Sequence, residues 1–363
     1  MKKIILFSHE YPPCLGGVGT IAEQITHYFK NSKQFEVKVL TSSRSSKNKN
    51  EHLLCSSFLP QFWPFSYYLQ YKELFAAADL IICNDPAAIY TAGMFFSSEQ
   101  LNKTICCIHG EEKYLSSNKL LPRLISFKKS FLKAINHSAK VVFVSSYIKE
   151  YYFKHYGVNT SDLRGNIINP GVYSQAAITP QLPLKKKNRF ITVCRLHKDK
   201  GFIHMLKVFE SMNRAGLDFE WVILGSGLYF DTLNELINQS NVKSHISLVG
   251  AVDRADLYEY YSCSEFCILL SELNESYGLS YLEAAHFGVK PIGYNRCGVR
   301  DVFNYIDKGL LLNEYKNATR NARDILSFID DTKGKVARSS RLAEKFSQDL
   351  EQLLVDIIYG IDE

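Results

Sequence analysis

The chain has 363 residues, 46% of them hydrophobic, enough for two domains of ordinary size with their own cores. It holds no run of the roughly 18 apolar residues that a membrane-spanning helix needs. The charge is uneven: residues 1–180 carry 20 Lys and Arg against 12 Asp and Glu, a net of +8, whereas the remainder carries 23 against 25, a net of −2. Such asymmetry points to an anionic partner for the first half.

The first apolar run, Ile4 to Phe7, is shorter than the ~7–15 residues of a signal-peptide core, and His9 and Glu10 follow at once. It is read as the first buried strand of a cytoplasmic protein. It spans residues 3–8, and further strands are expected at 36–41, 80–83, 104–109 and 141–145, with helices between them, notably over 18–30 and 120–137. A Pro- and Lys-rich stretch, residues 179–188, breaks the alternation and reads as a linker. A second alternating set follows, with strands at 189–194, 220–224, 246–249, 266–270 and 290–293. Its helices are expected over 201–214, 229–239, 253–261 and 279–287, and the tail from Asn313 reads as mostly helical. The expected class is α/β: two doubly wound domains, 1–180 and 181–363, facing a cleft, with the C-terminal helix packed back on the first. Ligands of such sheets bind outside the carboxyl ends of the strands, near helix N-termini.

Nine cysteines are scattered without a CxxC pair. Cys263 and Cys267 are four apart, but no second Cys or His pair completes a zinc site, so all nine read as reduced thiols of a cytosolic protein.

Three segments carry chemistry. After the first strand, HEYPPCLGGVGTIAE sets Gly16, Gly17 and Gly19 in the turn before the first helix, where backbone amides meet an anion. The run from Gly17 to Ala22 satisfies a dinucleotide fingerprint, but an NAD site also wants a carboxylate at the end of the second strand, where Thr41, Ser42 and Ser43 stand instead. In ITVCRLHKDKGF, Arg195 and Lys200 follow a strand and precede a helix, a planar fork and a point charge suited to a diphosphate. In ELNESYGLSYLEAAHFGVKP, Glu275 falls in a loop, Gly278 and Leu279 at a helix start, and Glu283 inside the helix. A loop carboxylate reaches sugar hydroxyls, amides at the helix start meet phosphate, and a carboxylate in the helix accepts ribose hydroxyls.

With these segments, NPGV at 169–172, ILGSG at 223–227 and LVGAV at 248–252, the sequence resembles glycosyltransferase family four, the retaining group 1 enzymes, over roughly residues 1–302. The resemblance implies the GT-B fold, two Rossmann-like domains, and transfer of a hexose from a UDP- or GDP-sugar without cofactor or metal. It implies that Gly16, Gly17, Gly19 and Gly250 lie near the donor and that His109, in CCIHGEE, lies beside the transferred sugar. Arg195 and Lys200 would hold the diphosphate, Glu275 the hexose and Glu283 the ribose, with Gly278 and Leu279 at the phosphate. The sequence departs from the family at Cys297 and Asp301, where two glycines and a Glu are usual. The family's commonest setting is surface polysaccharide synthesis: lipopolysaccharide, O-antigen or capsule.

Residues 120–135 mix Arg123, Lys128, Lys129 and Lys133 with Leu124, Phe127 and Phe131. That composition suits a helix lying on an anionic membrane, and with the basic first half it suggests peripheral contact at the inner face, while the family resemblance implies a glycan or lipid-linked acceptor. Aromatics beside basic residues also suggest nucleic acid, but no nucleic-acid motif accompanies them. Two rivals remain, a GT-B-fold sugar-nucleotide epimerase and a non-catalytic binding module.

Overall fold

The computed structural model describes residues 1–12, 16–32, 34–42, 52–55, 63–116, 120–158, 165–167 and 185–335. They form two compact units. In the first, the order is β1 (Lys2–Phe7), α1 (Gly17–Asn31), β2 (Phe35–Ser42), β3 (His52–Cys55), α2 (Trp63–Ala77), β4 (Leu80–Cys83) and α3 (Pro86–Phe95). There follow α4 (Ser98–Asn102), β5 (Thr104–Ile108), α5 (Leu120–Leu124), α6 (Phe127–His137), β6 (Lys140–Phe143), α7 (Ser146–Tyr156) and β7 (Gly165–Ile167). All seven strands are parallel, in the order β3-β2-β1-β4-β5-β6-β7. Ile4, Ile5, Leu6 and Phe7 are all buried, because helices cover both faces of a parallel sheet and leave neither side of a central strand to water.

The second unit contains β8 (Arg189–Val193), α8 (Phe202–Arg214), β9 (Glu220–Leu224), α9 (Phe230–Gln239), β10 (Ile246–Gly250), α10 (Arg254–Cys263) and β11 (Phe266–Leu269). It continues through α11 (Leu279–His286), β12 (Lys290–Tyr294), α12 (Val299–Phe303), β13 (Leu310–Leu312) and α13 (Ala318–Asp331). Its parallel sheet runs β10-β9-β8-β11-β12-β13. In each sheet the strand order reverses beside the first strand, at β1/β4 and at β8/β11. Those reversals open the crevices where ligands bind in doubly wound sheets.

The expected strands are all present. The sequence reading omitted β3, β7 and β13, each four residues or fewer and at or near a sheet edge. The expected linker lies outside the described residues up to position 184. Its last part already belongs to the second unit: Lys185 Nζ donates to the carbonyls of Ser264 (2.7 Å) and Phe287 (3.0 Å), and the Lys186 amide to Cys263 O. The expected return of the C-terminal segment to the first domain also lies outside the described residues.

The helix expected over 120–137 is two helices, broken where Ser126 adopts a left-handed conformation (φ 51°). The apolar face of α6, Phe127, Phe131, Ala134 and Ile135, is buried, with Phe127 stacked 4.9 Å from Tyr90 of α3. That face therefore builds the core and is not free for a membrane. Among the described side chains of α5, Leu120 and Leu124 lie at the surface, 72% and 70% exposed, and Arg123, Lys128, Lys129 and Lys133 are exposed as well. Among the described residues no helix is long and apolar enough to cross a membrane.

Candidate functional site

In the second unit the candidate residues gather at the carboxyl ends of β8 and β11. The chain leaves β8 through Cys194 and Arg195. Hydrogen bonds from the amides of Cys194 to Leu224 O (3.2 Å) and of Leu196 to Ser226 O (2.8 Å) brace this turn against the end of β9. Arg195 is exposed and forms no hydrogen bond or ion pair among the described residues. A short turn at Lys198–Lys200 then meets the loop after β11, where Asp199 O accepts the Glu272 amide at 2.9 Å. Across this junction Lys200 Nζ and Glu275 Oε1 stand 2.6 Å apart, their side chains 16% and 17% exposed. Pairing of this kind is strong where water is largely excluded, and it fixes a carboxylate and an ammonium at one spot.

Gly278 ends that loop and begins α11 with φ 107°. A Cβ there would fall 2.7 Å from the Tyr281 ring, so both conformation and space require glycine. No side chain caps α11: in its first turn the Tyr281 amide donates to Gly278 O at 3.1 Å, and the amides of Leu279 and Ser280 stand at the positive end of the helix dipole without a partner among the described residues. Glu283, one turn further, accepts from the Tyr261 hydroxyl at 3.3 Å. Burial pushes Tyr261 well above its usual pKa, so it stays a donor, and it stacks on Phe287. Gly250 closes β10 in a positive-φ turn (φ 92°), its carbonyl bound to the Gly225 amide at 2.8 Å.

In the first unit His109 follows β5. Its Nε2 lies 3.1 Å from Asn84 Oδ1, while Asn84 Nδ2 donates to Ser8 Oγ and to Val18 O, both at 3.1 Å. Asn84 thus joins the ends of β1, β4 and β5 to the first turn of α1. With its amide nitrogen used in this way, Asn84 presents its oxygen to His109, which must carry its proton on Nε2. Burial lowers the His109 pKa to about 4, so the ring is neutral at physiological pH. Its buried Nδ1 has no partner among the described residues and, in this tautomer, is a hydrogen-bond acceptor. Such a group suits a substrate hydroxyl and not a phosphate.

Of the expected turn glycines only Gly16 lies outside the helix, as its N-terminal cap. Gly17 and Gly19 already belong to the first turn of α1, and residues 13–15 lie outside the described residues. The sequence reading also missed Asn84 and the neighbouring Asp85. Asp85 caps α3 through Ala88 N (2.8 Å) and accepts the amides of His9 and Glu10, which anchors the loop after β1. The available signal was the tripeptide Asn84-Asp85-Pro86 after an apolar strand, a capping residue followed by proline at the first helical position. Cys263 and Cys267 fall on separate elements, α10 and β11. Among the described residues no three His, Cys, Asp or Glu side chains are placed to hold a metal ion.

Two family descriptions match successive parts of the chain: Glycosyltransferase Family 4 over residues 15–172 and Glycosyl transferases group 1 over residues 174–348. The chain belongs to the group 1 glycosyltransferases. It is similar to the GtfA subunit of a UDP-N-acetylglucosamine–peptide N-acetylglucosaminyltransferase from Limosilactobacillus reuteri subsp. suis. That match is 29% identical over 111 residues, 31% of this chain and 21% of the relative. It is also similar to the GDP-mannose-dependent alpha-(1-6)-phosphatidylinositol monomannoside mannosyltransferase of Mycobacterium tuberculosis, at 22% identity over 224 residues, 58% of this chain and 56% of the relative. The matches thus span about a fifth and about half of these relatives' lengths. Among solved structures, Anabaena HepE in complex with UDP and glucose superposes with a TM-score of 0.68 at 15% identity, covering 100% of this chain and 98% of that one. The likeness establishes the GT-B fold of two Rossmann-like domains.

For a group 1 glycosyltransferase the second unit supplies distinct chemical resources at one sheet end. It has a fixed carboxylate–ammonium pair, a helix N-terminus without a side-chain cap and an arginine, Arg195, that is unpaired among the described residues. Together they can meet hydroxyls and a polyanion at once.

Proposed function

We propose that this group 1 glycosyltransferase is a retaining hexosyltransferase. It moves a hexose from a UDP- or GDP-sugar to a glycan or lipid-linked acceptor during synthesis of a surface polysaccharide such as lipopolysaccharide, O-antigen or capsule. The observation that carries the reading is the 2.6 Å Lys200–Glu275 pair beside the uncapped start of α11. In this reading the α11 amides at Leu279, with Arg195 and Lys200, take the diphosphate, and Glu283 accepts the ribose hydroxyls. Glu275, held by Lys200, orients the hexose, while His109 offers Nδ1 to a sugar hydroxyl.

Negative charge grows on the leaving phosphate oxygen as the anomeric C–O bond breaks, and fixed cations and amides stabilise that charge most in the transition state. The acceptor hydroxyl attacks the face from which the diphosphate leaves and passes its proton to the departing phosphate oxygen, so configuration is retained. The cations and amides replace a metal ion in neutralising the diphosphate. The M. tuberculosis relative is named for a lipid acceptor and GDP-mannose, and HepE was solved with UDP and glucose, which supports both donor bases and a lipid-linked acceptor. At the membrane, Leu120 and Leu124 would enter the interface while Arg123, Lys128, Lys129 and Lys133 meet anionic headgroups.

The test is transfer itself. Labelled UDP-glucose and GDP-mannose are incubated with a lipid-linked oligosaccharide fraction, with and without EDTA, and the product anomer is read by NMR. The expected result is an acceptor-dependent, EDTA-insensitive α-linked product. Donor consumption without acceptor would instead indicate an epimerase, and an inverted anomer or loss of transfer in EDTA would refute the mechanism.

A further inference from the structure

The second unit carries a cation, Arg296, that the reading above does not use and that no carboxylate among the described residues pairs. Lys200 is neutralised by Glu275 and Lys316 by Glu272, the latter at 2.8 Å. Arg296, in the loop after β12, has no carboxylate within ion-pair distance among the described residues. Its Nη2 donates to the neutral Asn274 Oδ1 at 2.7 Å, and its guanidinium lies 4.7 Å from the centre of the Tyr315 ring. Both contacts fix the fork in direction and neither neutralises it. The Cys297 and Tyr315 side chains also hydrogen-bond the guanidinium, so its protein partners are an amide, a thiol and a phenol, and none of them is a carboxylate.

The loop that carries Arg296 is locked to the loop that carries Glu275. The Gly298 amide donates to Glu275 O at 2.9 Å, and a Cβ on Gly298 would lie 1.9 Å from Ser276 O, so the two backbones touch. Asn274, which grips Arg296, is the residue before Glu275. Cys297 sits in the left-handed region (φ 51°), unfavourable for a residue with a Cβ, and its thiol donates to the same Asn274 oxygen at 3.5 Å. This strained turn brings both side chains to Asn274, the residue before Glu275, and orients a positive charge that no carboxylate among the described residues pairs. A neutral hexose gives that charge nothing to pair with.

We infer that Arg296 binds an anionic oxygen of the donor, either of the diphosphate or of the carboxylate of a uronosyl group. The inference rests on the second unit being the donor site. It is tested by calorimetric titration of wild type, Arg296→Met and Arg296→Lys. The ligands are UDP and GDP, then UDP-glucose with UDP-glucuronate, or GDP-mannose with GDP-mannuronate, according to the base that binds. If the diphosphate is the partner, Arg296→Met weakens all three matched ligands at least tenfold, and Arg296→Lys recovers part of the loss. If a uronate is the partner, wild type prefers the uronosyl donor at least tenfold, and Arg296→Met abolishes the preference and leaves the bare diphosphate unaffected. Binding of all three within twofold of wild type by Arg296→Met overturns the inference. That holds even if the ligand-free variant melts lower, since Arg296 then only staples two loops. If wild type binds no nucleoside diphosphate, the donor-site reading fails and the inference with it, a result distinct from normal diphosphate binding by all three proteins.

Discussion

Replacing Lys200 by Met keeps the length of the stem and strips Glu275 of its partner. Both side chains are about five-sixths shielded, so the carboxylate left behind is poorly solvated. A hydrogen bond between charged groups contributes about 1.5–3 kcal/mol, and the residual exposure of this pair argues for about 2 kcal/mol. For a unit of this size that corresponds to a fall in Tm of roughly 4–8 °C. Glu275→Gln, which relieves the stranded charge, should cost less, and the double variant should be more stable than the sum of the single effects by ~1 kcal/mol or more. The same substitution removes a cation from the leaving group and should lower kcat by roughly 100- to 1000-fold. Thermal unfolding of the four proteins gives the coupling, and initial rates at saturating donor give kcat. Strictly additive Tm changes would refute the reasoning, as would a Lys200→Met enzyme with wild-type kcat.

Three further outcomes are expected. His109, with its pKa lowered to about 4, refuses a proton that the unfolded chain accepts below about pH 6.5, so its burial costs stability as the pH falls from 6.5 towards 4. Urea unfolding at intervals across that window should show wild type losing more stability than His109→Asn, and parallel curves would contradict the buried neutral ring. Gly278→Ala should cost about 1–3 kcal/mol through its positive φ and the Tyr281 ring, and should weaken nucleoside diphosphate binding. A variant of wild-type stability would show that the α11 turn is built differently. Sedimentation with vesicles containing phosphatidylglycerol should fall several-fold for Leu120→Ser/Leu124→Ser and at raised salt, whereas equal binding to neutral vesicles would exclude anionic headgroups as the attraction.

Central strands were legible in the sequence because both faces are buried and the runs are continuously apolar, as at Ile4 to Phe7. Edge strands such as β7 and β13 are too short to carry a period. The break at Ser126 was invisible because apolar spacing continues across it, from Leu124 to Phe127, and only the left-handed residue reveals the turn. Lys200 and Glu275 were found as separate motif residues, and their pairing across 75 positions is a product of the fold. The Asn84-Asp85-Pro86 signal announces only the cap of a helix, and the role of Asn84 in joining three strand ends is a product of the fold. Arg296 escaped because its meaning lies in what fails to neutralise it, which depends on residues 22 and 19 positions away in other loops.

The most direct test of the account is a thermal-shift comparison of wild type and Glu283→Ala with UDP, GDP, ADP, CDP and NAD. At ~100 times its dissociation constant the matching nucleotide should add about 2.7 kcal/mol, a shift of several degrees. Wild type should show such a shift with UDP or GDP, and Glu283→Ala should lose it. A shift with NAD alone, or with none of the five, would contradict the donor-site reading.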